Sequence, residues 1–244
     1  MYRYAHTKIR EEKKQEVLEK IEENALKVRT RSGKDEPFRE DRVRQTIQHL
    51  VTEIGSDVVD VEHIVSQLKY ELYEGMTTDE VQKALIMVVR SMIERDPAYS
   101  KLAARLLLNK IYSEVFGEGF DKKQLVEEHT KVFEQNMKRL VTEGNLDPRM
   151  AEYDYAKMGA ALKIENDHLF EYMGLEIMGS RYCMEDVKLK KPLETPQMLW
   201  MRIAMGLAIA EKPEDREATA LEFYDALSNF YYTPGGRTLF QSGA

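Results

Sequence analysis

The chain has 244 residues, 43% of them apolar, and carries a formal net charge of −7 from 36 basic and 43 acidic side chains. That length can bury one or two modest cores, and the acidic surplus argues against nucleic acid or a membrane surface as the main partner, because both are met by excess positive charge. A lone cysteine, Cys183, rules out an internal disulfide framework or a zinc site built on two cysteine pairs. The start MYRYAHTKIREEKK lacks the apolar middle of a signal peptide, and no apolar run reaches the ~18 residues of a membrane span, so a cytoplasmic location is expected.

Residues 1–25 form a charge-dense lead-in. KIREEKKQEVLEKIEEN offers only Ile9, Val17, Leu18 and Ile21 as a thin apolar stripe, which predicts a helix packed on one side. LKVRTRSGKDEPFREDR follows, over Leu26 to Arg42. Here Val28-Arg29-Thr30-Arg31 predicts a strand, Ser32-Gly33-Lys34-Asp35 a turn and Glu36-Pro37-Phe38 a short return strand. Glu40 or Asp41 then opens a helix carrying Val43, Ile47, Leu50 and Val51 at core spacing. A helix start is thereby set beside Arg29, Arg31, Arg39 and Arg42. Guanidinium forks near free backbone N–H groups suit a polyphosphate; the alternative is a solvated basic face on an ordinary hairpin.

Three further helices are predicted after the one at 42–54. They cover 61–73, 78–93, which opens with the cap-like Thr77-Thr78-Asp79, and 98–116. A hairpin over a four-helix cluster, with VxxRxG at the turn, ExF on the return strand, a threonine opening the third helix and YxxLAAR in the fourth, resembles the ATP cone. This nucleotide-sensing domain stands at the amino end of many ribonucleotide reductase large subunits, and the likeness covers residues 26–117. It implies that Val28 and Phe38 border a base, that Glu36 and Thr78 offer polar contacts to base or sugar, and that Arg31, Arg39 and Arg42 meet the phosphates of ATP or dATP, bound as allosteric effectors; Arg29, Thr30 and Gln82 belong to the same nucleotide site, Arg29 and Arg39 replacing the phosphate ligand lost where Thr30 stands for lysine. The chain departs from many cones, which have lysine where Thr30 and Arg42 stand and often histidine or asparagine at Gln82 and Arg39. Arginine for lysine keeps the charge but replaces a point charge with a planar fork.

Gly117-Glu118-Gly119 predicts a division near 118, and residues 118–244 a second, helical region. FDKKQLVEEHTKVFEQNMKRLV carries a broad apolar face and ends in the turn GNLDPRM. Short helices are expected over 153–162 and 169–177, the second capped by Asn166-Asp167. RYCM reads as a short strand and KLKKP as a basic turn. Cys183 can be a nucleophile only with a histidine nearby, and a packing role is the other reading. The five histidines show no metal-ligand spacing. Thr195-Pro196 starts a helix that is apolar nearly all round from Met198 to Ala208, hence fully buried. Pro213 opens another, with Leu221, Phe223, Tyr224, Leu227 and Phe230 as its stripe.

FEYMGLEIMGSRYCM at 170–184, ETPQMLWMRIAMGLA at 194–208 and FYDALSNFYYTPGGRTLFQSGA at 223–244 resemble the segments that lead into the ten-stranded α/β barrel of class I and class II ribonucleotide reductase large subunits. The fold implied is mainly α: an ATP cone, then the helical entry to that barrel. The resemblance implies a parent enzyme that reduces ribonucleotides to deoxyribonucleotides, with no catalytic residue or metal ligand in this part, which is therefore inactive alone. Partners implied are the remaining part of the large subunit, further copies in a homo-oligomer, and a radical-generating small subunit in class I; class II uses adenosylcobalamin instead. Gly235, Gly236, Arg237 and Thr238 correspond to a loop against the substrate's phosphates, although many relatives have a hydroxyl residue where Gly236 stands.

Overall fold

A computed structural model describes residues 11, 14–117, 120, 124–186 and 188–244. The expected contribution of Ile9, and of Glu118-Gly119 as a breaker, lies outside these residues. The chain falls into two compact units, one reaching Leu106 and the other beginning at Leu107.

In the first unit, helix α1 (residues 14–22) buries Ile21 and half-buries Val17 and Leu18. Asn24, in the left-handed region at φ 56°, reverses the chain into strand β1 (Lys27–Arg29). Strand β2 (Asp35–Pro37) returns antiparallel, pairing Val28 with Glu36 and Arg29 with Asp35. The turn between them, Thr30 to Lys34, begins two residues earlier and ends one residue earlier than the sequence suggests. Thr30 explains this: its hydroxyl accepts from Lys34 N–H at 3.1 Å and its N–H donates to Lys34 C=O at 2.8 Å, while Gly33 takes φ 81°, a conformation glycine adopts without a Cβ penalty.

Helix α2 (Glu40–Ile54) ends at Gly55, whose φ of 64° makes a left-handed cap. Helix α3 (Val61–Lys69) starts at Asp60, whose carboxylate accepts His63 N–H at 2.9 Å. It stops four residues short of the expected Tyr73, unwinding through turns at Tyr70–Leu72. Helix α4 (Thr78–Arg90) has Thr77 as N-cap in a capping box with Glu80, and helix α5 (Pro97–Phe116) begins in this unit and continues into the next. Ile47, Ile64, Val89 and Leu102 are wholly buried among these helices. Each such side chain contributes roughly 1.5–3 kcal/mol. The helical core therefore carries the unit, since a two-stranded hairpin is marginal by itself.

The second unit is organised on helix α9 (Pro196–Ala208), where Leu199, Trp200, Met201, Ile203, Ala204 and Met205 are all fully buried, as its apolar sequence predicts. Helix α10 (Pro213–Ser228) packs along it through Ala220, Tyr224 and Leu227. Phe223 and Phe230 instead stand 36% and 38% exposed, so the buried stripe is narrower than expected. Helix α6 (Leu125–Thr142) buries His129, Phe133, Met137 and Leu140 and packs on helix α7 (Tyr155–Ala160). Helix α8 (Tyr172–Arg181) is preceded by a 3-10 turn, Ile164–Leu169. A two-residue hairpin, β3 (Glu185–Asp186) with β4 (Lys191–Pro192), and the short helix α11 (Gly236–Gln241) complete the unit.

Two polar threads cross this apolar interior. Asp167, expected as a cap for α8, is fully buried instead and accepts Tyr112 O–H at 2.5 Å and Gln197 Nε2–H at 2.8 Å, while Tyr224 O–H donates to Gln197 Oε1 at 2.7 Å. Glu171 takes the N-cap position of α8. The second thread is Arg202, fully buried, whose Nε and Nη2 reach the two oxygens of Glu194 at 2.6 and 3.2 Å. Its remaining donors hold the carbonyls of Ser242 at 2.9 Å and Tyr182 at 3.1 Å. A charge so deep is tolerable only when paired and fully hydrogen-bonded. Cys183 sits beside this thread, 8% exposed, and burial pushes its thiol well above the usual range; the packing reading fits, because the thiolate is the nucleophile.

Candidate nucleotide site

The first unit's hairpin is tied to α4 through the main chain. Arg29 N–H donates to Met76 C=O at 2.9 Å and Gly75 N–H to Lys27 C=O at 3.2 Å, so the segment entering α4 runs alongside β1 as a parallel bridge between Arg29 and Thr77. This splice brings the turn against the start of α4. Arg31 Nε and Nη2 both engage Asp79 Oδ1, at 2.7 and 2.5 Å. Thr78 and Gln82, half-buried, occupy the first two turns of the same helix.

The N-cap duty falls to Thr77 and leaves the Thr78 side chain outside the capping box. Thr77 N–H and O–H donate to Glu80 at 2.8 and 2.7 Å, and these bonds, with one from Tyr73, hold the Glu80 carboxyl below its ordinary range. Arg29 pairs with Asp35 at 3.2 Å on the exposed face of the hairpin. Thr30 spends its hydroxyl inside the turn, also meeting Ser32 Oγ at 2.9 Å. Val28 and Phe38 are 7% and 6% exposed, so most of each side chain packs inward, while Glu36 is exposed. Arg39 and Arg42 have exposed side chains at the start of α2; Arg39 lines a cavity of about 560 Å³ with Ile21, Glu22, Asn24, Phe38 and Asp41.

Two residues of this unit do not stand out in the sequence. Asp79 reads there only as part of a cap-like string, although an acid in a helix's first turn after an arginine-bearing hairpin is a readable signal. Arg44 reaches Glu62 and Glu40, each at 2.7 Å, and Lys69 also meets Glu40 at 2.6 Å. Burial pushes the Glu40 carboxyl up, yet Lys69 and Arg44 together bring it below its ordinary value. Arg44 thus staples α2 to α3.

In the second unit, the stretch expected as a phosphate loop is a helix start. Gly235 is the N-cap of α11 at φ −64°, and Gly236, Arg237 and Thr238 form its first turn, Arg237 exposed. Arg202 anchors the far end of this segment through Ser242. No group of histidine, cysteine and carboxylate side chains suited to a metal ion occurs among the described residues, and no helix among them is long and apolar enough to cross a membrane.

Residues 26–114 match the family model described as ATP cone domain, and residues 168–244 match that described as ribonucleotide reductase, all-alpha domain. The chain is an ATP cone followed by the all-alpha domain of a ribonucleotide reductase large subunit. Among curated relatives, the ribonucleoside-diphosphate reductase subunit alpha of Chlamydia pneumoniae is 39% identical over 172 residues, which cover 70% of this chain and 16% of that protein. The Chlamydia trachomatis counterpart is 32% identical over 251 aligned positions, covering 100% of this chain and 23% of the relative. The large subunit of Trypanosoma brucei brucei is 28% identical over 219, covering 88% and 25%. The cone and all-alpha domain described here therefore span a quarter or less of these reductase subunits.

Proposed function

We propose that this chain is the effector-sensing amino-terminal part of a reductase that converts ribonucleotides to deoxyribonucleotides, and that its cone binds ATP and dATP in competition. Arg31, Arg39, Arg42 and Arg29 take the phosphates, Thr78, Gln82 and Glu36 meet the sugar and base, and Val28 and Phe38 form the apolar border. The observation that carries this reading is the splice of β1 to the segment entering α4, because it brings the Arg31 guanidinium onto Asp79 in the first turn of the helix that carries Thr78 and Gln82. Arginine forks match phosphate oxygens in shape as well as charge.

Sensing then requires that ATP and dATP differ in affinity for two assembly states, since a ligand shifts an equilibrium only by its differential binding. The states are assemblies of the large subunit with further copies of itself, and with a radical-generating small subunit in a class I enzyme. The all-alpha domain leads into the catalytic barrel, its α11 start at Gly235 to Thr238 lying along substrate phosphate, and the 244 residues perform no reduction alone. The setting is cytoplasmic. Thermal unfolding of the chain with and without ATP or dATP tests the reading: both nucleotides raise the Tm of the parent, and neither does so for Arg31→Ala. Equal Tm values with and without nucleotide in the parent overturn it.

A further inference from the structure

We propose that Asp79 is a built-in competitor for Arg31 that sets the nucleotide concentration to which the cone responds. This inference rests on the nucleotide reading above and adds a regulator to the same site. Arg31 uses its Nε and Nη2 edge on one oxygen of Asp79, at 2.7 and 2.5 Å. That edge is one of those a guanidinium offers for a two-pronged grip on phosphate. A nucleotide whose phosphate takes that edge must therefore displace the carboxylate, and one that takes another edge shares the arginine with it.

Displacement is feasible because the pair is partly solvated, with side chains 23% and 37% exposed, and exposed ion pairs hold weakly. The carboxylate cannot go far. Asp79 lies in the first turn of α4, whose approach to β1 is fixed by main-chain bonds from Gly75 and to Met76, so its negative charge stays close to any phosphate that replaces it. Two like charges a few ångströms apart at a partly wet surface cost enough to shift an affinity about tenfold. Asparagine keeps the shape and removes the charge.

Calorimetric titration of the full chain and its Asp79→Asn variant with ATP, and with AMP as the short control, tests the proposal. The expected result is a Kd for ATP about tenfold lower in the variant, with AMP binding unchanged or undetectable in both. A variant that binds ATP where the parent does not also supports it. Parent and variant binding ATP equally, or the variant more weakly, overturns the competitor while leaving the nucleotide site standing; an equal gain for AMP overturns it too. Absence of binding by both removes the site and the competitor together. Asp79→Ser, judged by the same criteria, replaces the first variant if circular dichroism finds it unfolded.

Discussion

Replacing Arg202 with methionine tests whether the second unit is held by its buried charge pair. The side chain is fully buried, its partner Glu194 is 3% exposed, and the change removes four bonds: two to Glu194 and one each to the carbonyls of Ser242 and Tyr182. Glu194 is left with Met184 N–H, at 2.8 Å, to stabilise a carboxylate inside an apolar core. Stranding one member of a buried pair costs about 3–5 kcal/mol, which for a unit of this size corresponds to a Tm lower by roughly 10–15 °C. Trp200 is the chain's only tryptophan and is fully buried in α9, so its fluorescence reports unfolding of this unit selectively. Removing both charges, as Arg202→Met with Glu194→Leu, restores part of the loss, because the unpaired carboxylate is the main penalty. A single variant that loses less than about 1 kcal/mol, or a double variant less stable than the single, refutes this reasoning.

The remaining predictions concern the same unit. His129 is fully buried, its Nδ1 2.7 Å from Leu125 C=O and its ring edge-on to Tyr112 and Phe116. Burial pushes its pKa down from 6.5 to about 4. The unfolded chain thus takes up the proton first, and the stability due to the neutral ring, about 3 kcal/mol, is present above pH 6.5 and lost as the pH falls from there through about 4. His129→Gln flattens that part of the stability profile measured by Trp200 fluorescence; parallel profiles for parent and variant argue against it. Gly206→Ala places a Cβ 2.2 Å from the nitrogen of Gly243 and 2.6 Å from the carbonyl carbon of Ser242. Alanine's better helix propensity, worth about 1 kcal/mol, is outweighed by a backbone clash of about 1–3 kcal/mol. Limited proteolysis should then cut the segment after α11 faster than in the parent, and an unchanged rate contradicts the clash.

What could be read from the sequence was what local chemistry decides. Gly33 in its turn, Thr77 at a helix start and the apolar circumference of Met198 to Ala208 each act within a few residues, and a turn, a helix start and a buried helix form around them. The decisive long-range pairs, one at the candidate site and one in the second unit's core, are of another kind. Arg31 and Asp79 are 48 positions apart, and Tyr112 and Asp167 are 55 apart; no periodicity or capping rule joins such residues, so Asp79 passed as part of a cap and Asp167 as a cap it does not make. Boundaries failed for a related reason. The end of α3 is set by Leu72 and Met76 turning inward beside β1, a tertiary demand that overrides the helical pattern running on to Tyr73.

The central claim, that the hairpin and the start of α4 form a pocket for ATP and dATP, is tested most directly by isothermal titration of the chain with each nucleotide, alone and in competition. The account predicts saturable heat for both, displacement of either by the other, and loss of both in Arg31→Ala while Arg44→Ala, an inter-helix staple with a Glu62 partner 2.7 Å away, still binds. Titrations without heat for either nucleotide, or an Arg31→Ala variant that binds like the parent, contradict it.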